Sequence, residues 1–451
     1  MTTDASSIPP TLHLAAGLDR ALAWREGGSV RHLVAELSAE TPTAAPRDLP
    51  ALNLAIVIDV SGSMAGEKLE AARKAAADLS EGLRPIDRLT LIAFANEAEL
   101  LLDARSMDET GRAAAQSAVA RLATRGMTNL SAGWLLGAEH LAIAMEAEPQ
   151  AAHRLLLLSD GQANQGITDP TELARHAGEL LARGIITSAV GIGDGYDEAL
   201  LGGMADAGGG QLHDVAHASE IGEVVLGELR DGRAAVLERV RLRITVPASI
   251  RAEVIGPWSH SFLPGTLDVT CGTLLPGQTR RIVVRLHCPP GIAGETLRLG
   301  VAASGDLPEA AVTPSDAGGV EADPVEVGLC IASGRENNAQ PRDLDRSLTV
   351  LRAWQAAVLR KSAMLNRERD RRAARGFIER ELRWFQRYAT GVPEAEPMVA
   401  ELVLLLRRAE DEWSERTRKE VFAASIRRGK SEEDRRSAAP ASLRDVLSRT
   451  R

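Results

Sequence analysis

Two stretches of the chain are apolar almost without interruption and then stop on an acid. Residues 52–59 read LNLAIVID and residues 153–160 read HRLLLLSD. A strand without polar alternation is buried on both faces, so it needs helices covering it on each side. The surrounding sequence supplies them. RLTLIAFA (88–95) and IITSAVGIG (185–193) are further buried strands, AELLL (98–102) and QLHDV (211–215) are shorter ones, and helical patterns fall at 66–82, 109–122, 131–147, 171–183, 197–206 and on to about 231. Strands alternating with helices predict an α/β fold with a doubly wound, mostly parallel sheet over residues 50–232.

Outside that segment the period changes. Val240, Leu242, Ile244 and Val246 alternate with Arg241, Arg243 and Thr245, the signature of a half-exposed strand. RRIVVRLHC, ETLRLGVAAS and VEVGLCIAS continue the pattern between Gly/Pro-rich turns, so residues 236–333 read as a β-sandwich. TLHLAAG and VRHLVAEL, within residues 1–48, have the same character. They are expected to complete the sandwich, with the α/β domain inserted between its strands. Residues 341–427 read as helical. Leu344, Leu348, Leu351, Gln355 and Val358 trace one face, Ala374, Phe377, Ile378, Leu382, Phe385 and Tyr388 a second, and Leu402, Leu405, Ala409 and Trp413 a third. The polar tail, 428–451, is expected to be disordered.

At 451 residues the chain is too long for one core, and a division into two or three domains agrees with these boundaries. A net charge of -9 argues against nucleic acid as a partner. No apolar stretch approaches the roughly 20 residues that span a bilayer. The N-terminal residues have neither a basic region nor a sustained apolar one, and three cysteines with no CxxC spacing make no disulfide framework. The expected location is cytoplasmic.

In a doubly wound sheet, ligands bind beyond the carboxyl ends of the strands. Asp59 ends one strand and is followed by Ser61 and Ser63; Asp160 ends another; GMTNLSAG (126–133) places Thr128 and Asn129 before a helix. Brought to one rim, these loops would gather two carboxylates and three hydroxyls, with no histidine or thiol. An all-oxygen set suits a hard divalent cation, Mg²⁺ first and Mn²⁺ or Ca²⁺ next. Neutral hydroxyls leave the ion's charge largely uncompensated, so a position left to water would accept an Asp or Glu carboxylate from a partner protein.

DVSGS (59–63), Thr128 in GMTNL and Asp160 in SDGQAN resemble the metal-ion-dependent adhesion site (MIDAS) of the von Willebrand factor A (VWA) family. The similarity covers about residues 50–232. It implies direct metal contacts from Ser61, Ser63 and Thr128, and contacts mainly through water from Asp59 and Asp160. It also implies one short antiparallel edge strand, which AELLL fits. Met127 and Ser159 depart from residues common in the family. The flanking sandwich is similar in layout to bacterial proteins with an inter-alpha-trypsin-inhibitor-heavy-chain-like arrangement. Intracellular members of the family commonly act as adaptors, some beside ring-forming ATPases, which makes an ATPase-linked complex one expected partner.

Other chemistries fit less well. Aspartyl phosphotransferases need a second acid two positions after the first, where this chain has Ser61. GSMAGEKL lacks the GK[ST] of a P-loop, and in GIGDGYD a tyrosine, Tyr196, stands where a dinucleotide fingerprint needs glycine. His213 and His217 lie at a strand rather than on one helix face. Singly, Ser63, Thr128 and Asn129 could be helix caps. Together the residues predict a non-enzymatic, metal-dependent protein-binding protein, with Asn129, Gln162 and Asn164 as partner contacts. The alternatives are a metal-dependent hydrolase or phosphotransferase, and a domain whose ion only stabilises its loops.

Overall fold

The computed structural model describes residues 10–40, 51–215, 217–233, 236–307, 319–368 and 370–429. The chain begins with β1 (Thr11–Leu18), β2 (Leu22–Trp24) and β3 (Ser29–Glu40). The α/β segment follows: β4 (Leu52–Asp59), α1 (Glu67–Gly82), β5 (Arg88–Phe94), β6 (Ala98–Ser106), α2 (Glu109–Ala120), α3 (Leu130–Ala147), β7 (Ala152–Ser159), α4 (Pro170–Ala182), β8 (Ile185–Ile192), α5 (Glu198–Ala207), β9 (Gly209–Val215) and α6 (Ile221–Arg233). Then come β10 (Leu237–Thr245), β11 (Arg251–Ile255), β12 (His260–Leu263), β13 (Thr266–Leu274), β14 (Thr279–Cys288), β15 (Thr296–Asp306), β16 (Val320–Glu321) and β17 (Val325–Ala332). Helices α7 (Gly334–Ala339), α8 (Leu344–Arg367), α9 (Arg371–Ala389), α10 (Ala395–Arg407) and α11 (Glu415–Gly429) close the described chain.

Among the described residues the α/β sheet has the order β6-β5-β4-β7-β8-β9. Every pairing is parallel except β5–β6, so AELLL does form the antiparallel edge. The reason for the uninterrupted apolar runs is visible in β4. Leu54, Ile56 and Ile58 pack on one face against α1 and α6, while Ala55 and Val57 pack on the other against α3. Because β4 pairs with both β5 and β7, the chain leaves it in one direction and later returns on its other side. The β4–β7 crevice is therefore the switch point where such sheets bind ligands.

The sandwich closes around this insertion. In one sheet β3 pairs with β14 in register from Ser38↔Thr279 to Ser29↔Cys288. In the other, β2 pairs in parallel with β17. The α/β domain is thus held at both ends within a single sandwich, as the two periodicities predicted. β2 has only three residues and gave no alternation to read.

The helical region differs in detail from expectation. Leu344 is exposed, whereas Val350, Trp354 and Leu359, outside the anticipated stripe, are buried. The helix α8 packs at once against the sandwich, α9, α10 and α11, so it has no single apolar face. Ala409 and Trp413 are buried beyond the end of α10, where the Trp413 indole donates to the Arg408 carbonyl at 2.8 Å. A further helix within the region read as helical, α11, has no apolar face anticipated for it and docks on the α/β domain. Its Lys419 ammonium donates to the Tyr196 carbonyl at 2.9 Å and lies 3.3 Å from the Tyr196 ring centroid. Arg367 of α8 and Arg418 of α11 pair with Asp197 (2.6 Å) and Glu198 (3.1 Å) at the start of α5. The helix includes residues 428 and 429, assigned beforehand to the tail; the rest of that tail lies outside the described residues. Among the described residues no helix is long and apolar enough to cross a membrane.

One buried histidine makes the α/β domain acid-sensitive. His153 on β7 is 3% exposed, and its Nε2 has no hydrogen-bond partner. Burial pulls its pKa down from 6.5 to about 4. A folded-state pKa below the unfolded value means that the stability is complete above pH 6.5 and is lost as pH falls through about 4. The full effect is about 3 kcal/mol. The thermal midpoint of His153→Gln is therefore expected to fall less steeply than that of the wild type between pH 6.5 and 4. Parallel pH profiles of the two proteins would remove His153 as the cause.

Candidate metal centre

The three loops expected to meet do meet, and backbone hydrogen bonds stitch them together. Beyond β4, the Asp59 carboxylate accepts the Ser61 N–H at 2.8 Å through Oδ1, folding residues 59–61 into a tight turn. The Arg125 N–H donates to the Val60 carbonyl (2.7 Å), and the Gly62 N–H to the Gly126 carbonyl (3.2 Å), joining the first loop to the second. The Asn164 N–H donates to the Thr128 carbonyl (3.0 Å), joining the second to the third. The left-handed turn that this path needs is made at Gly126, with φ of 60°, so Met127 beside it carries no such demand.

The side chains converge accordingly. Asp59, Ser61, Thr128 and Asp160 are all 3% exposed or less, and Ser63 sits at the mouth. The Ser63 hydroxyl donates to Asp160 Oδ1 at 2.7 Å and lies 3.1 Å from Ser61 Oγ. Gly161 leaves an opening between the loops. A Cβ there would stand 3.4 Å from Thr128 Oγ1, 3.6 Å from Ser63 Oγ and 3.8 Å from Asp59 Oδ2. Oxygens from all three loops thus surround one small space. Burial pushes the Asp59 carboxyl above the usual carboxylate range and the nearby Asp160 adds to the shift, against hydrogen bonds from Ser159 and Ser61.

These residues fit a small hard cation. In an octahedron with oxygens at about 2.1 Å, neighbouring ligands lie about 3 Å apart, the spacing of the two serine oxygens. The Ser63 proton already points at Asp160, which leaves its lone pairs for an ion. Among the described residues no group of three His, Cys, Asp or Glu side chains comes together to hold a metal, so hydroxyls are needed to complete this set.

Two neighbours of the site were not foreseen. The Ser159 hydroxyl donates to Asp59 Oδ2 at 2.6 Å, holding the second oxygen of that carboxylate. The Lys68 ammonium pairs with Asp160 Oδ2. Ser159 adjoins a predicted ligand and was legible as a neighbour; nothing local relates Lys68 to an aspartate 92 residues away. Asn129, read as a partner contact or a helix cap, is half-buried and makes the cap. Its Oδ1 accepts the Ala132 N–H (3.2 Å) and the Ser131 hydroxyl (3.1 Å), capping α3, and its amide donates to the Asn96 carbonyl. Gln162 and Asn164 are exposed at the rim, Gln162 facing a cleft lined by Arg367, Trp413 and Arg416.

The order of the loops, the sheet and the oxygen set coincide with a known family. Residues 53–225 match the family model of the von Willebrand factor type A domain. This segment is a von Willebrand factor type A domain. Among curated proteins, the chain is similar to the uncharacterized protein YfbK of Escherichia coli, 29% identical over 199 residues. That match covers 44% of this chain and 34% of YfbK. Inter-alpha-trypsin inhibitor heavy chain H1 of Sus scrofa is 30% identical over 143 residues, 30% of this chain and 16% of that protein. The chain thus spans well under two thirds of either relative. The likeness of fold reaches beyond the A domain. A von Willebrand factor type A structure from Catenulispora acidiphila matches with a TM-score of 0.66 at 18% identity, covering 89% of this chain and 90% of that one.

Proposed function

We propose that the A domain is a divalent-cation-dependent protein-binding module and that the protein is a non-enzymatic adaptor in the cytoplasm. Ser61, Ser63 and Thr128 would hold Mg²⁺ directly, and Asp59 and Asp160 would hold it through water. When bound, the ion supplies a Lewis-acidic position that accepts an Asp or Glu carboxylate of the partner. The observation that carries this reading is the convergence, at the switch point of the sheet, of two buried carboxylates and three hydroxyls. A hydrolase or phosphotransferase would need a further acid or base at the rim beyond the groups assigned to the ion. The cysteine thiols are unpaired, which suits a reducing compartment.

The test is affinity capture from native lysate with three baits: wild type in Mg²⁺, wild type in EDTA, and Ser61→Ala in Mg²⁺. The expected result is a partner retained only by wild type in Mg²⁺ and released by chelation. An ATPase among the retained proteins would extend the reading to an ATPase-linked complex. The same proteins in all three lanes, with all baits folded, would sink the proposal.

A further inference from the structure

The site carries a positive charge of its own. Lys68 leaves the first turn of α1, and its ammonium pairs with Asp160 Oδ2 while lying 3.5 Å from the Ser63 carbonyl. The end of the side chain also packs over the loop after β8, where a Cβ on Gly193 would stand 3.5 Å from Lys68 Cε. One flexible side chain thus touches the first loop, the third loop and the loop beside them. Asp160 is buried, whereas the Lys68 side chain is one-third exposed, at 34%. The amine can therefore leave for water without unpacking anything, and the carboxylate cannot.

The charges explain why the amine is there. Asp59 accepts hydrogen bonds from Ser61 and Ser159, both uncharged donors. Asp160 receives the Ser63 hydroxyl on one oxygen and a charged donor, the Lys68 ammonium, on the other. Two buried carboxylates side by side repel, and Lys68 offsets that repulsion when no other cation is present. A divalent ion in the oxygen-lined space would be repelled by an ammonium held on the same carboxylate.

We infer that Lys68 is an internal counter-cation that competes with the divalent ion for Asp160 and so raises the metal concentration at which the site fills. The inference rests on the reading that this site binds a divalent cation. It makes Lys68 a positioning residue that sets metal affinity. Loading is then an exchange of charges: the ion enters, the amine swings out to solvent, and the site responds over a higher range of Mg²⁺.

The experiment titrates the full chain, stripped with EDTA and dialysed, with magnesium chloride by calorimetry. The proteins are wild type, Lys68→Met, Lys68→Arg and Ser61→Ala. Lys68→Met is expected to bind Mg²⁺ at least about tenfold more tightly than wild type, and Lys68→Arg to stay close to it. A second measurement needs no variant. An amine-acylating reagent should modify Lys68 of the wild type several-fold faster in Mg²⁺ than in EDTA, read by peptide mass spectrometry. Suppose wild type binds Mg²⁺, Ser61→Ala does not, and Lys68→Met binds no more tightly than wild type with labelling unchanged by Mg²⁺. The counter-cation role is then overturned while the metal site stands. If neither wild type nor Lys68→Met shows saturable binding, the metal reading itself fails.

Discussion

Asp59→Asn is expected to leave the metal-free fold intact and to weaken Mg²⁺ binding by at least about 100-fold. The two effects separate because Asp59 has two roles. Structurally it accepts the Ser61 N–H on one oxygen and the Ser159 hydroxyl on the other. An asparagine carbonyl can keep the first of these bonds, and its amide can donate to the Ser159 oxygen once that hydroxyl turns. Electrostatically Asp59 is a carboxylate with no exposed surface, whose affinity for a proton burial has raised. A raised folded-state pKa means that the metal-free domain loses stability as pH rises from 3.8 through the folded value. At neutral pH the charge is thus a net cost, which the amide removes. The metal-free thermal midpoint of Asp59→Asn should equal or exceed that of wild type. Wild type at 100 times its Kd for Mg²⁺ gains about 2.7 kcal/mol by mass action; the variant gains no more than about 0.4 kcal/mol at that concentration. A variant whose midpoint still rises with Mg²⁺ as the wild type's does would remove Asp59 from the site.

The second large effect lies far from the metal centre. Asp19→Ala is expected to cost about 3–5 kcal/mol and to loosen the C-terminal helices from the sandwich. Asp19 is 1% exposed and accepts the His32 N–H at 2.8 Å and the Tyr388 hydroxyl at 2.8 Å, with His32 Nδ1 at 3.3 Å. Burial raises its carboxyl, but these bonds outweigh burial and hold it below the usual range. The His32 ring stands edge-on to Tyr388, with centroids 5.0 Å apart, and burial keeps its pKa low. Arg285 lies over the Trp354 ring at 4.6 Å, and Arg342 over the Tyr388 ring at 4.0 Å. One carboxylate therefore joins the sandwich to α9, and its removal strands three buried donors at the seam. Tyr388→Phe, which keeps both contacts of Asp19 with His32, should cost less, about 1 kcal/mol. Calorimetry would show an early transition in Asp19→Ala, and limited proteolysis would cut first between the sandwich and α8. An Asp19→Ala midpoint as high as that of Tyr388→Phe would show that Asp19 does not hold the seam.

What the sequence determined by itself is whatever short-range chemistry encodes. Long apolar runs marked β4, β7 and β8 because a strand covered on both faces is mostly apolar on both and does not alternate. Alternation marked β10 because one side of it meets water. The spacing of Asp59, Ser61 and Ser63 was legible because the turn that gathers them closes between residues two apart. Tertiary structure decided the rest. The pairing of β3 with β14, the ammonium of Lys68 on Asp160, the shared carboxylate of Asp19 and the docking of α11 on Tyr196 join residues about 90 to 370 positions apart. Such contacts leave no local pattern, since they depend on which faces packing brings together. The helix α8 shows the limit most plainly. Its burial follows the four neighbours around it rather than one stripe, so Trp354 lies inside and Leu344 faces water. Asn129 shows it at the site itself: the loop offers a polar residue several roles, and its cap on α3 exists only once that helix is in place.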